Sequence, residues 1–165
     1  MRLLVVDTEA MEAFGRDLGA QLRAGDLVVL TGALGAGKTT LTRGIGAGLG
    51  VRGPVQSPTF VLARTHPNLA GGAPLVHVDA YRLGDAALVD DLDLDFDNSV
   101  VVVEWGAGLV DDASESHLEI VIERPTGASA AADALSDDDG LDADEPRTIT
   151  VLGYGPRWAG SPYAA

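Results

Sequence analysis

Eight consecutive residues constrain this chain more than any others: Gly32-Ala33-Leu34-Gly35-Ala36-Gly37-Lys38-Thr39. They satisfy G-x-x-x-x-G-K-[ST], the Walker A pattern. Its glycines let the backbone curl until successive N–H groups point at one anion. A helix that follows brings the positive end of its dipole to the same place. Lys38 supplies a point charge for β- and γ-phosphates, and the Thr39 hydroxyl is a ligand for Mg2+. The flanks are right for this reading: Leu27–Leu30 is strand-like before the loop, and Leu41, Ile45 and Leu49 recur at helical spacing after it. Lys38 is also the sole lysine in a chain that otherwise uses arginine for positive charge.

The surrounding sequence alternates apolar runs with helical patterns, which predicts an α/β fold. Arg2–Val6 reads as a short strand. Met11, Phe14, Leu18 and Leu22 predict a helix over Thr8–Ala24, ended by Gly25, with Asp7 and Glu9 suited to its N-terminus. Asp26–Thr31, Phe60–Arg64, Leu75–Asp79, Val100–Glu104, Leu118–Glu123 and Thr148–Leu152 are strand candidates. Gly44, Gly46 and Gly48 each weaken the helix after the loop by up to ~1 kcal/mol relative to Ala, so tertiary packing must support it. The length of 165 residues suits one domain. Asp85–Asp97 reads as an amphipathic cover over the sheet. Thr126–Pro146, with seven acids and no base, reads as a disordered acidic insertion in a hairpin.

Charge and composition exclude several classes. With 25 acidic against 11 basic residues the net charge is −14, and the basic residues are scattered, so direct nucleic-acid binding is not expected. Absence of cysteine excludes disulfides and thiolate metal sites. His66, His77 and His117 lack metal-ligand spacing, and His77 reads as a core or edge histidine. No apolar run approaches the ~18–20 residues of a membrane span, and Leu3–Val6 is too short for the ~7–15-residue core of a signal peptide. A cytoplasmic chain that does not engage membranes is expected.

A Mg·nucleotide site also needs a carboxylate at a strand end. Val100-Val101-Val102-Val103-Glu104 and Leu75-Val76-His77-Val78-Asp79 both end this way, and residue type alone does not choose between Glu104 and Asp79. A guanine-reading [NT]-K-x-D motif would need a second lysine, so ATP is expected rather than GTP.

Taken together, GALGAGKTT at 32–40, SPTF at 57–60, HVDAYRL at 77–83 and VEWG at 103–106 resemble the TsaE family. These are P-loop ATPases of the bacterial pathway that makes threonylcarbamoyladenosine on tRNA. The resemblance covers roughly Asp7 to Gly106, and the order of the four motifs is more specific than Walker A alone. It implies a P-loop three-layer α/β sandwich, with a mainly parallel sheet and antiparallel edge strands. It implies ATP held by Gly35, Ala36, Gly37, Lys38, Thr39 and Thr40, with Thr8 at the adenine. It makes Thr39 and Glu104 the Mg2+ ligands. Asp79, Glu104 and Lys38 become the catalytic set, with Asp79 acting on the attacking water or through a neighbour. Ser57 and Thr59 fall in a switch-like segment facing the γ-phosphate, and Tyr81 and Arg82 match the family signature. The implied partners are TsaD-like and TsaB-like proteins, with tRNA met only through that complex. The chain departs from the family in having Ala33 where an acid is common, and in its long insertion at 126–146. Pro156–Trp158 either caps the nucleotide or closes the core, and the core is the preferred reading.

The expected function is thus an accessory ATPase, weak alone and stimulated by partners. A small-metabolite kinase would need an arginine-bearing lid, and the candidate lid here is acidic. A nucleotide-gated binding module with vestigial hydrolysis is the non-enzymatic alternative.

Overall fold

The computed structural model describes residues 1–58, 62–82, 93–108, 113–125 and 145–165. In these, β1 (Arg2–Val5), α1 (Thr8–Gly19), β2 (Leu27–Gly32), α2 (Lys38–Leu49), β3 (Ala63–His66), β4 (Leu75–Asp79), β5 (Val100–Glu104), β6 (His117–Glu123) and β7 (Arg147–Tyr154) follow in order. The strands form one sheet in the order β1-β7-β6-β2-β5-β4-β3. The central four are parallel, and β1, β7 and β3 add antiparallel edges. This is the α/β architecture with a parallel core expected from the sequence. The 126–144 part of the acidic segment, and 85–92 of the aspartate-rich one, lie outside the described residues.

Burial follows strand position. All five residues of β5 are buried, as are Leu27–Leu30 of β2, because these strands are covered on both faces. In β6 and β7 burial alternates, so one face packs and the other is wetter. Val28, Leu30, Val102, Leu118, Ile120 and Ile149 pack beneath Met11, Leu18, Leu41 and Ile45 of the two helices. The opposite face gathers Leu27, Val29, Val76, Val78, Val101 and Val103, covered by Leu62, Leu94 and Phe96. Trp158 is 2% exposed in the first of these cores, which fits the core reading of the C-terminal segment.

Gly44 and Gly48 of α2 are explained by the neighbouring α1, whereas Gly46 lies against the Val55 and Val51 side chains. A Cβ on Gly44 would stand 2.5 Å from the Glu12 carbonyl oxygen, and one on Gly15 would stand 2.6 Å from that of Leu41. Gly19 against Ile45 and Gly48 against Arg16 are closer still. The two helices touch backbone to backbone along this seam, so the propensity cost of glycine is exchanged for close packing.

Two element boundaries differ from the sequence reading. α1 ends at Gly19 rather than near Ala24, because the chain tightens into i→i+3 bonds (Gln21 N to Leu18 O, 2.9 Å; Leu22 N to Gly19 O, 3.2 Å). Leu22 keeps its periodic place and is buried. The third strand is Ala63–His66 rather than Phe60–Arg64, its register set by pairing Ala63 with Val78 and His66 with Leu75; Phe60 lies outside the described residues.

Candidate functional site

The loop from Gly32 to Gly37 joins the C-terminal end of β2 to α2. Gly35 and Gly37 hold φ of 73° and 106°, the left-handed region that glycine adopts without cost. Gly37 is the N-cap of α2, no side chain caps that end, and its first turn carries no acid. Ala36, Lys38, Thr39 and Thr40 are buried, whereas Ala33, Leu34 and Gly35 are exposed. The Lys38 ammonium turns back on the loop, donating to the Gly32 carbonyl at 2.9 Å and the Ala33 carbonyl at 3.0 Å.

Below the loop, adjacent parallel strands bring the other groups in. Glu104 ends β5 beside Leu30 of β2, with Asp79 opposite it on β4. Thr39 Oγ1 lies 3.5 Å from Glu104 Oε1. The same carboxylate oxygen is 2.7 Å from Nε2 of His77. His77 is fully buried, and its Nδ1 has no hydrogen-bond partner among the described residues. With Nε2–H donating, His77 fixes one oxygen of Glu104. His77 is therefore a core residue as read, but one that grips the strand-ending acid. Nearby His66 has its pKa lowered by burial, with repulsion from His77 and Arg64 adding to it.

Other expected site residues are placed differently. Asp79 is half-buried and its Oδ1 accepts from Tyr81 N at 3.0 Å, closing the turn after β4. Thr8 opens α1 behind β1, a strand separated from β2 by β6 and β7. β1 runs parallel to β2 through its two antiparallel pairings, so Thr8 stands at the loop's end of the sheet. Ser57 is half-buried just beyond Val55, whose carbonyl accepts from Arg43 Nε of α2 at 3.3 Å; Thr59 lies outside the described residues.

The sequence reading missed two neighbours. Trp105 has φ of 62°, a left-handed conformation costing ~1–3 kcal/mol for a non-glycine residue. It sets the indole over Lys38, with Nζ 4.2 Å from the ring centroid, while Tyr81 stacks at a tilt, 5.4 Å away. The sequence reading holds Trp105 only as part of the VEWG motif and gives it no role. Arg124, just past β6, brings Nη1 to 3.6 Å from where a Cβ on Gly35 would stand; nothing in its local sequence marks it. A cavity of about 350 Å³ beside Val29, His117 and Tyr154 opens on the sheet face away from the helices and is separate from the loop.

Chemically, the site offers backbone amides, an ammonium, a hydroxyl and a carboxylate around one concave turn. Among the described residues no group of three or more metal-binding side chains exists. Thr39 and Glu104 supply hard oxygen donors, which suits a Mg2+ held by few protein ligands and by substrate phosphates.

Comparison with known proteins finds relatives in sequence and in fold. The model of a family described as threonylcarbamoyl adenosine biosynthesis protein TsaE matches residues 5–131. The chain is 55% identical over 152 residues to the tRNA threonylcarbamoyladenosine biosynthesis protein TsaE of Streptomyces coelicolor, covering 90% of this chain and 94% of the relative. Against the protein so named in Bacillus subtilis it is 38% identical over 122 residues, covering 72% and 75%. The crystal structure of Bacillus subtilis YdiB superposes with a TM-score of 0.66 at 30% identity, covering 96% of this chain and 88% of that one.

Proposed function

The chain belongs to the TsaE family of threonylcarbamoyladenosine biosynthesis proteins, and from that premise we propose that it is a Mg2+-dependent ATPase serving tRNA modification in the cytoplasm. In this reading it acts with TsaD-like and TsaB-like proteins and meets tRNA only through them. One observation carries the proposal: Thr39 and Glu104 converge beneath an uncapped glycine loop, with His77 holding the carboxylate at 2.7 Å. No helix among the described residues is long and apolar enough to cross a membrane.

In this reading each residue of the site has a role. Amides of the loop and of the first turn of α2 receive phosphate oxygens. Lys38 exchanges the carbonyls of Gly32 and Ala33 for the β- and γ-phosphates, with Trp105 screening it from water. Thr39 and Glu104 would hold Mg2+, which would supply positive charge to the nucleotide's phosphates. His77 prevents Glu104 from rotating away. Asp79, beside Glu104 in register, orients the attacking water. ATP is the nucleotide because the single lysine is already committed to phosphate.

A phosphate-release assay with and without the transferase pair tests the function. Slow release alone, accelerated by the pair and more strongly at low ionic strength, is expected of an acidic accessory meeting basic partners. Full-speed turnover alone that the pair does not change would overturn the accessory role.

A further inference from the structure

The loop has a second cationic neighbour. Gly32 of β2 pairs with Ile122 of β6, so the chain leaving β6 passes directly beside the start of the loop. Arg124 lies two residues beyond that pairing. It stands on the β6 side of β2, opposite the β5 side that carries Glu104. Its guanidinium is oriented rather than loose. Nε and Nη2 donate to Glu145 Oε2 at 3.1 and 2.9 Å, and the Nη1 corner is turned towards Gly35. Both side chains of the pair are about one-fifth exposed.

The hold of Glu145 is divided. The same Oε2 accepts from Arg147 Nη1 at 3.0 Å, and Arg147 also donates to the Glu145 carbonyl at 2.6 Å. One carboxylate oxygen serving two guanidiniums attracts each less exclusively than a dedicated partner would. A polyphosphate in the loop brings several anionic oxygens to the same corner.

We propose that Arg124 is a second phosphate-binding cation of the loop, taken by the nucleotide's phosphates on the side opposite Glu104 in competition with Glu145. This rests on the nucleotide-binding reading above and adds a residue to it. It also gives an electrostatic account of how so acidic a chain holds a polyanion. One ammonium is joined by a guanidinium whose planar fork suits phosphate oxygens.

Calorimetric binding of ATP and of inorganic tripolyphosphate, both with Mg2+, tests this. Arg124→Gln should weaken both ligands by at least about tenfold, the loss expected for one charge-assisted contact. Arg124→Lys should recover part of that loss, and Glu145→Gln should bind no more weakly than wild type. Thermal unfolding of each variant reports folding, and the lysine and glutamine variants at two positions keep the comparison if one fails. Unchanged affinity in Arg124→Gln overturns the proposal. So does a loss for ATP but not for tripolyphosphate, which would make the contact one to the nucleoside. Equal losses in Arg124→Gln and Glu145→Gln overturn it as well, since they mark a purely structural ion pair. Wild-type protein that binds neither ligand, or Lys38→Ala that binds both normally, would instead defeat the nucleotide reading itself.

Discussion

Two helices begin at the same end of this sheet, and their first turns are completed in opposite ways. Asp7 caps α1, its carboxylate accepting from Ala10 N at 2.8 Å, and Glu9 adds negative charge to the first turn. Among the described residues nothing does this for α2, which starts from Gly37 with no capping side chain and no acid in its first turn. A helix leaves about four N–H groups without partners at its start. In α1 the sequence meets that requirement locally, so the end is structural. In α2 a buried lysine, a hydroxyl and a carboxylate are gathered round the same helix start, and on the proposed reading it is the nucleotide's phosphates that its N–H groups receive. The difference separates a helix end that stabilises the fold from one reserved for a ligand.

The comparison breaks most visibly at Lys38. Lys38→Ala should weaken ATP binding by at least about tenfold, since charge-assisted contacts are worth ~1.5–3 kcal/mol each; calorimetry reads this directly, and unchanged affinity would remove the anion from α2. The seam between the helices gives the next effect. Helix propensity alone says that Gly48→Ala stabilises by ~1 kcal/mol. The added Cβ would press on the Arg16 carbonyl, and overpacking costs ~1–3 kcal/mol. Chemical denaturation should therefore show a net loss, and a gain would mean the helices separate easily. The smallest effect belongs to α1: Asp7→Ala should cost about 1 kcal/mol of stability. ATP affinity should stay within about threefold of wild type, as for a change away from the ligand. A large fall in ATP affinity would show that the two helix ends are not independent.

Much of this was legible in the sequence, for identifiable reasons. Leu75–Asp79 and Val100–Glu104 are strands at the expected residues, because buried central strands are continuous apolar runs ended by a single acid. The loop was legible because its chemistry is local. What escaped depends on residues far apart in the chain. Gly44 and Gly48 read as weak points of a helix until Gly15 is set against the first and the Arg16 backbone against the second. His77 reads as a bland core histidine, since its bond to Glu104 spans 27 positions and exists only through strand pairing. Arg124 meets Glu145 across 21 positions, and no local pattern announces the pair.

The most direct test of the central claim is a Mg2+ titration of phosphate release, in the presence of the transferase pair, for wild type and Glu104→Gln. The substitution keeps the shape of the side chain and the room for His77 while removing the negative charge from the metal site. Release by the wild type should rise and saturate with Mg2+. Glu104→Gln should fold normally, bind ATP without Mg2+ much as wild type does, and release phosphate at least about 100-fold more slowly, at or beyond the range seen when support of a metal site is lost. Wild-type rates with an unchanged Mg2+ requirement in Glu104→Gln would contradict the account.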